Sequence, residues 1–183
     1  MHSLSLFAVT STLVLAVPAG AAVLTVGGGY AHSCYRAAET QDTRWNSLQS
    51  CDRALAEEAL SPEDRVATHV NRGILRLRLA RLTDANADFD KALAMDPKQA
   101  EAWLNKAVLN ARFGRSVDAL PMVQKALEFN TKRPALAYFV RAMAHEDSGN
   151  IRAAYHDLQR ARELEPKWAE PRIELKRFKV RQL

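Results

Sequence analysis

Two cysteines are the residues of this sequence that could do redox chemistry, and their spacing argues against a catalytic pair. Cys34 and Cys51 lie 17 positions apart, whereas catalytic dithiols favour C-x-x-C, in which the second sulfur resolves the first locally. His32 is a poor base for the Cys34 thiol, because positions i and i+2 do not share a face of a helix. A thiol-redox or enzyme-accessory factor using Cys34 and Cys51 is the alternative to a structural disulfide.

The other residue types that carry catalysis do not form a set. His69, His145 and His156 lack the paired spacing of metal ligands. The sequence also has no glycine-rich loop of the kind that holds phosphate, and no nucleophile elbow. We therefore expect a protein that is not an enzyme and has no catalytic residues, no metal and no cofactor.

The composition of the 183-residue chain favours a helical globular protein. Hydrophobic residues make up 48% and charged residues 26% of the chain, as in ordinary globular domains. Seven glycines and seven prolines are too few for a turn-dense β-sandwich. The net charge of +5 permits an acidic partner, but we expect no nucleic acid, because the basic C-terminal tail is interpreted as the solvated face of a helix.

The first residues have the character of a secretory signal peptide. No Asp, Glu, Lys or Arg occurs over residues 3–26, and an apolar block is followed by a proline and by small residues that suit a cleavage site. An uncleaved anchor is the alternative, since about 20 apolar residues can span a bilayer. Export predicts a periplasmic or secreted protein, without stable membrane insertion once the signal is cleaved. A disulfide between Cys34 and Cys51 would persist there and would stabilise the fold by roughly 3 kcal/mol.

The rest of the chain repeats itself at a period near 34 residues, which indicates stacked supersecondary units. Small residues let the two helices of a unit approach closely, and large residues fill the remaining space. Residues 74–82 alternate apolar and basic side chains as a strand would, but the registered small residues on both sides favour a helix. The recurring positions are Gly73, Ala107 and Ala142; Ala85, Ala119 and Ala154; and Phe89, Val123 and Leu158.

This pattern resembles the tetratricopeptide repeat, whose aromatic, leucine, glycine, tyrosine, alanine, phenylalanine and proline positions it matches in spacing over about residues 66–168. His69 stands where an aromatic residue is usual, and Thr131 stands where a proline is usual. The resemblance implies an all-α fold, a right-handed α-solenoid of antiparallel helix pairs with about three repeat units. The match is clearest at residues 69–73, 88–97, 103–107 and 158–166.

A disulfide-stapled helix pair and a capping helix are expected to close the two ends of this array. The staple would replace the packing that a terminal unit lacks on its outer side. The predicted segments are a signal peptide (1–22), a flexible leader (23–30), a degenerate N-terminal helix pair (31–60), three repeats (66–99, 100–134 and 135–168) and a capping helix (169–183).

The concave wall of such an array is built from the first helix of each pair, and a ligand is expected there. In relatives that capture extended peptides, an Asn two residues before the small Gly or Ala commonly bonds the ligand backbone. The resemblance implies that role for Asn71 and Asn105, because an amide offers a donor and an acceptor together. The alternative is that both side chains are solvated on an exposed surface.

Positive charges recur on the same helices. Arg72, Lys106 and Arg141 form a predicted column of like charges, and a ligand carboxylate would relieve their mutual repulsion. The alternative is that these side chains extend to water over the helix interface, as Arg side chains often do. Leu104, Val108, Phe139 and Met143 suggest a partly apolar groove. The predicted groove residues are Asn71, Arg78, Asn105, Arg112, Phe139 and Met143.

The sequence therefore predicts a non-enzymatic protein-protein interaction scaffold of the bacterial cell envelope. Its partner would be a peptide or a protein surface bound in the concave groove. No residue identifies that partner, because repeat scaffolds host unrelated ligands.

Overall fold

The computed structural model describes residues 21–25 and 29–178, and every regular element in these ranges is helical. The predicted all-α fold is confirmed. Residues 1–20 of the predicted signal peptide and residues 179–183 of the predicted capping helix lie outside the described residues. The α-helices are α1 (Tyr30–Thr40), α2 (Trp45–Glu57), α3 (Pro62–Arg78), α4 (Leu82–Met95), α5 (Ala100–Arg112), α6 (Leu120–Glu128), α7 (Pro134–Asp147), α8 (Ile151–Leu164) and α9 (Ala169–Leu175).

Close approach of α3 and α4 explains why the first repeat has a glycine where the later repeats have alanine. An ideal Cβ built at Gly73 would lie 2.5 Å from Cε1 of Phe89. The Phe89 ring is fully buried, so the space that the missing Cβ leaves is filled by this ring. At the same register positions, Ala107 and Ala142 accompany the smaller side chains of Val123 and Leu158.

The middle pair departs from regular helix where its proline falls. In the second half of this pair, Ser116–Ala119 forms a 3-10 turn and α6 begins at Leu120. Pro121 therefore lies in the first turn of α6, where the N–H that it lacks would have no intrahelical acceptor. An α-helix from Val117 would have brought the proline ring against the Val117 carbonyl.

The array is curved toward one side. The first helices of successive pairs, α1, α3, α5 and α7, contact one another in sequence, whereas the described second helices, α2, α4, α6 and α8, make no comparably extensive contacts among themselves. The first helices therefore lie on the inside of the curve, as expected for stacked helix pairs. We call the surface formed by α1, α3, α5 and α7 the inner wall.

The N-terminal helix pair is held by the predicted disulfide. Cys34 on α1 is bonded to Cys51 on α2, with their Cα atoms 4.8 Å apart, and both residues are fully buried. A soluble reductant has no direct access to sulfur atoms in this position. This burial favours a structural disulfide over a pair of cycling thiols.

Candidate functional site

An asparagine on the inner wall holds the backbone of a segment near the N-terminus. The Val23 N–H donates to Oδ1 of Asn71 at 2.8 Å, and Nδ2 of Asn71 donates to the Val23 carbonyl at 2.7 Å. Residues 21–25 have no regular secondary structure, and Asn71 beneath them is completely buried. One side-chain amide thus satisfies both backbone polar groups of a single residue.

Segment 21–25 runs in the direction opposite to α3. Asn71 lies near the middle of α3, whereas Val23 and Leu24 line a cleft with Pro62 and Val66 at the N-terminal end of this helix. The chain after Val23 therefore leads toward the N-terminus of α3. Ala22 and Ala21, which precede Val23, lead toward the C-terminal end of α3.

The second asparagine of the predicted ladder has a different role. Nδ2 of Asn105 donates to the Glu101 carbonyl at 2.8 Å, one turn earlier in α5. Asn105 is 2% exposed, so it is not a solvated surface residue, and segment 21–25 is bonded by Asn71 rather than by Asn105. The backbone contact therefore uses one of the two predicted asparagines.

Arg78 and Arg112 lie at equivalent positions near the C-terminal ends of α3 and α5. Nη1 of Arg78 donates to the Ala38 carbonyl at 2.8 Å, and Nη1 of Arg112 donates to the Leu77 carbonyl at 3.2 Å. Each guanidinium thus reaches the last turn of the preceding first helix, where carbonyl groups carry partial negative charge. Sequence analysis did not foresee this link between successive first helices.

The column formed by Arg72, Lys106 and Arg141 does not need a ligand to relieve it, which corrects the prediction from the sequence. Arg72 is bonded to Asp88 and Asp52, and Lys106 is bonded to Asp90. Arg141 donates twice to Asp157, at 2.8 Å each. Carboxylates on the second helices already neutralise these charges.

Asp88 is the centre of the most buried of these polar networks. It receives hydrogen bonds from Nδ1 of His69 at 3.0 Å, from Nη2 of Arg72 at 2.7 Å and from Nη1 of Arg76 at 2.6 Å. Burial alone would raise the pKa of Asp88, but the hydrogen bonds from His69 and Arg72 and the charges of Arg72 and Arg76 outweigh it and lower this pKa. His69 therefore joins a structural network.

A signal for this network was present in the sequence. Asp157 occupies the position of Asp88 two repeats later, just as Arg141 occupies that of Arg72. In the middle repeat, the uncharged Met122 occupies the position of Asp88. Nδ2 of Asn110 lies 3.2 Å from its Sδ atom. Comparison of charges, as well as small residues, across the repeats would have revealed the ion pairs.

The predicted apolar residues of the groove lie largely in the core. Phe139 is 3% exposed, and its ring centroid lies 4.9 Å from that of Trp168. Met143 is partly buried and packs against the same cluster. Leu104 and Val108 are also buried. Phe139 is therefore a core residue, because Trp168, just before α9, covers it.

The described residues contain neither a metal cluster nor a membrane-spanning helix. Within residues 21–25 and 29–178, no three His, Cys, Asp or Glu side chains come close enough to hold a metal ion. In this same part of the chain, no helix combines the length and apolar character that crossing a bilayer requires.

Comparison of the sequence with known proteins shows a repeat family. A family model described as tetratricopeptide repeat matches residues 70–135. Protein O-mannosyl-transferase TMTC3 of Homo sapiens is 27% identical over 106 residues, which are 57% of this chain and 12% of that protein. The peroxisomal targeting signal receptor of Komagataella phaffii is 30% identical over 81 residues, which are 44% of this chain and 14% of that protein. The chain thus spans a small part of either relative.

Comparison of the structures agrees with this assignment. MamA, from residue 41 to its end, from Desulfovibrio magneticus RS-1 is similar with a TM-score of 0.63, over 80% of this chain and 79% of that one, at 20% identity. At this identity the likeness is one of fold. Repeat arrays of this kind present extended surfaces that suit protein-interaction scaffolds. The helix pairs, the 34-residue register and the match over residues 70–135 show that this chain contains tetratricopeptide repeats.

Proposed function

We propose that this protein is a non-enzymatic scaffold of the bacterial cell envelope whose inner wall binds an extended segment of a peptide or protein partner. The observation that carries the proposal is the pair of hydrogen bonds between the Asn71 amide and the backbone of Val23. These bonds use backbone groups that every residue except proline has. The same contact therefore suits a segment of different sequence.

Segment 21–25 lies where a partner segment would bind. Because it is tethered to the inner wall by the chain itself, its effective concentration is on the order of millimolar. A partner must displace it, so additional contacts are needed for tight binding. The protein from Komagataella phaffii is by its name a receptor for a targeting signal, which supports recognition of a peptide segment by repeats of this kind.

The envelope location is supported by two independent features. One is the predicted signal peptide, and the other is the disulfide between Cys34 and Cys51, since disulfides persist in oxidising compartments. N-terminal sequencing of the protein from a periplasmic fraction tests the location, with an N-terminus at Val23 expected. The binding experiments below use the uncleaved chain of residues 1–183, in which segment 21–25 is complete. Recovery of the whole protein from the cytoplasm with an intact N-terminus would contradict it.

A labelled synthetic peptide tests the binding surface. The probe has the sequence of residues 19–25, is acetylated and amidated, and is titrated into the full chain while its fluorescence anisotropy is measured. In a Val23→Pro variant, the tethered segment loses its N–H donor, so the probe should bind more tightly than to the parent chain. Asn71→Ala in this background should weaken binding about tenfold or more, because two hydrogen bonds of roughly 0.5–1.5 kcal/mol each are lost.

Asn105 provides the matched control. Its amide bonds only within its own helix among the described contacts, so Asn105→Ala in the Val23→Pro background should leave the affinity for the probe unchanged. Circular dichroism establishes that each variant retains its helix content. Equal affinity of the Asn71→Ala variant and its parent would overturn the proposal.

A further inference from the structure

Two arginines on the inner wall, Arg78 and Arg112, are not paired with carboxylates as Arg72 and Arg141 are. Arg72 and Arg141 are neutralised by aspartates. In the described part of the chain, no carboxylate oxygen lies within 4.0 Å of a nitrogen of Arg78 or Arg112. These two side chains donate to neutral carbonyl groups instead.

Arg78 also retains an unused donor. Its Nη2 is buried and has no hydrogen-bond partner. Burial, followed by the positive charges of Arg112 and Arg133, lowers the pKa of Arg78 to about 10. A buried donor without an acceptor is unfavourable, and the positive charge of Arg112 nearby adds to the cost. An anion placed between Arg78 and Arg112 would remove both effects.

The position of this pair relative to Asn71 defines where the anion would lie on a bound peptide. Arg78 follows Asn71 by seven positions in α3, which places it about 10 Å further along the same side of the helix. An extended chain covers that distance in about three residues. Since segment 21–25 runs opposite to α3, the residue near Arg78 lies on the N-terminal side of the residue held by Asn71.

The tethered segment supplies no such anion. No Asp or Glu occurs over residues 3–26, so neither segment 21–25 nor the sequence of residues 3–20 before it carries a carboxylate side chain. A partner segment with an acidic residue at this place would make a contact that the tethered segment does not make. This difference gives a partner a means to displace it.

We propose that Arg78 and Arg112 form a carboxylate site for an acidic side chain of the bound partner, about three residues N-terminal to the residue held by Asn71. The inference rests on the proposed function and specifies its ligand as an acidic extended peptide. A C-terminal carboxylate offers the same chemistry, but the direction of segment 21–25 places the C-terminal side of the peptide at the opposite end of α3.

Matched peptides test the site on the full chain. The reference probe has the sequence of residues 19–25 with Gly20 replaced by Gln, and the acidic probe has Glu at that position. A third probe keeps Gln there and has a free C-terminal carboxylate in place of the amide. The Glu probe should bind about tenfold more tightly than the Gln probe at low salt, because it forms a charge-assisted hydrogen bond. The third probe should show no gain.

Protein variants then locate the gain. Arg78→Gln and Arg112→Gln should each reduce the ratio between the affinities for the Glu probe and the Gln probe to near one. Arg112→Gln leaves the contact of Arg78 with α1 in place, so it remains informative if Arg78→Gln loosens that helix. Arg162→Gln is the control, because Arg162 is exposed on α8, a second helix.

The outcomes separate this inference from the function on which it rests. Equal binding of the Glu and Gln probes, with dependence on Asn71 retained, would overturn the carboxylate site alone. A gain for the probe with the free C-terminus would assign the site to a terminal carboxylate and would overturn the proposed direction. Absence of Asn71-dependent binding by every probe would remove the proposed function itself.

Discussion

Replacement of Gly73 by alanine tests how closely α3 and α4 approach. The added Cβ would lie 2.5, 2.8 and 3.0 Å from three carbons of the Phe89 ring, and this ring is fully buried and has no route into solvent. Overpacking of this kind costs about 1–3 kcal/mol, whereas alanine is favoured over glycine in a helix by about 1 kcal/mol. We expect a net loss of about 1 kcal/mol in the free energy of unfolding, measured by urea denaturation with circular dichroism.

A second substitution identifies the cause of that loss. Phe89→Leu alone should destabilise the chain by about 1–2 kcal/mol, because it leaves a cavity. Combined with Gly73→Ala, it reproduces the pairing of Ala142 with Leu158 in the third repeat, and the double variant should be close to the parent chain in stability. If the two losses simply add, the proposed steric conflict between the Gly73 position and Phe89 is refuted.

Two other substitutions test the buried network and the core. Asp88→Asn should lower the free energy of unfolding by about 3 kcal/mol near neutral pH, because Arg72 and Arg76 lose a buried charged partner. Since the pKa of Asp88 is lowered in the folded chain, this stabilisation is complete above the ordinary Asp pKa of about 4 and is lost as the pH falls through the folded-state value. Thermal melts of the two proteins should therefore converge in acid, and a constant difference would contradict this account. Phe139→Ala should lower the free energy of unfolding, measured by urea denaturation, by about 3–5 kcal/mol, while the folded fraction binds the probe peptide normally. Weaker binding at unchanged stability would indicate instead that Phe139 lines the groove.

Local patterns were sufficient to predict the helical architecture. Gly73, Ala107 and Ala142 recur because each lies where the two helices of a unit approach, so their register predicts the helix pairs. The same register outweighs the strand-like alternation over residues 74–82, most of which lies in α3. The two cysteines allow a single pairing within the chain, and the disulfide is present.

Contacts between distant segments explain what sequence reasoning missed. The Arg72 column was interpreted from the first helices alone, whereas its partners are aspartates on the second helices. Phe139 was placed in the groove from its position on a first helix, whereas Trp168 packs against it. The earlier repeats have Gln99 and Arg133 at the position of Trp168. The occupant of Asn71 lies 48 positions away in sequence, and no periodic pattern connects the two.

The disulfide has a consequence for the order in which the protein becomes competent to bind. Arg78 is oriented by the Ala38 carbonyl on α1, and α1 is covalently joined to α2 through Cys34 and Cys51. In a newly made chain with free thiols, the covalent link is absent, and α1 is held by packing of small side chains and by hydrogen bonds such as those with Arg78 and Glu58. Oxidation of the thiols then fixes one border of the inner wall covalently, so on the proposed function this border is most rigid after oxidative maturation of the chain.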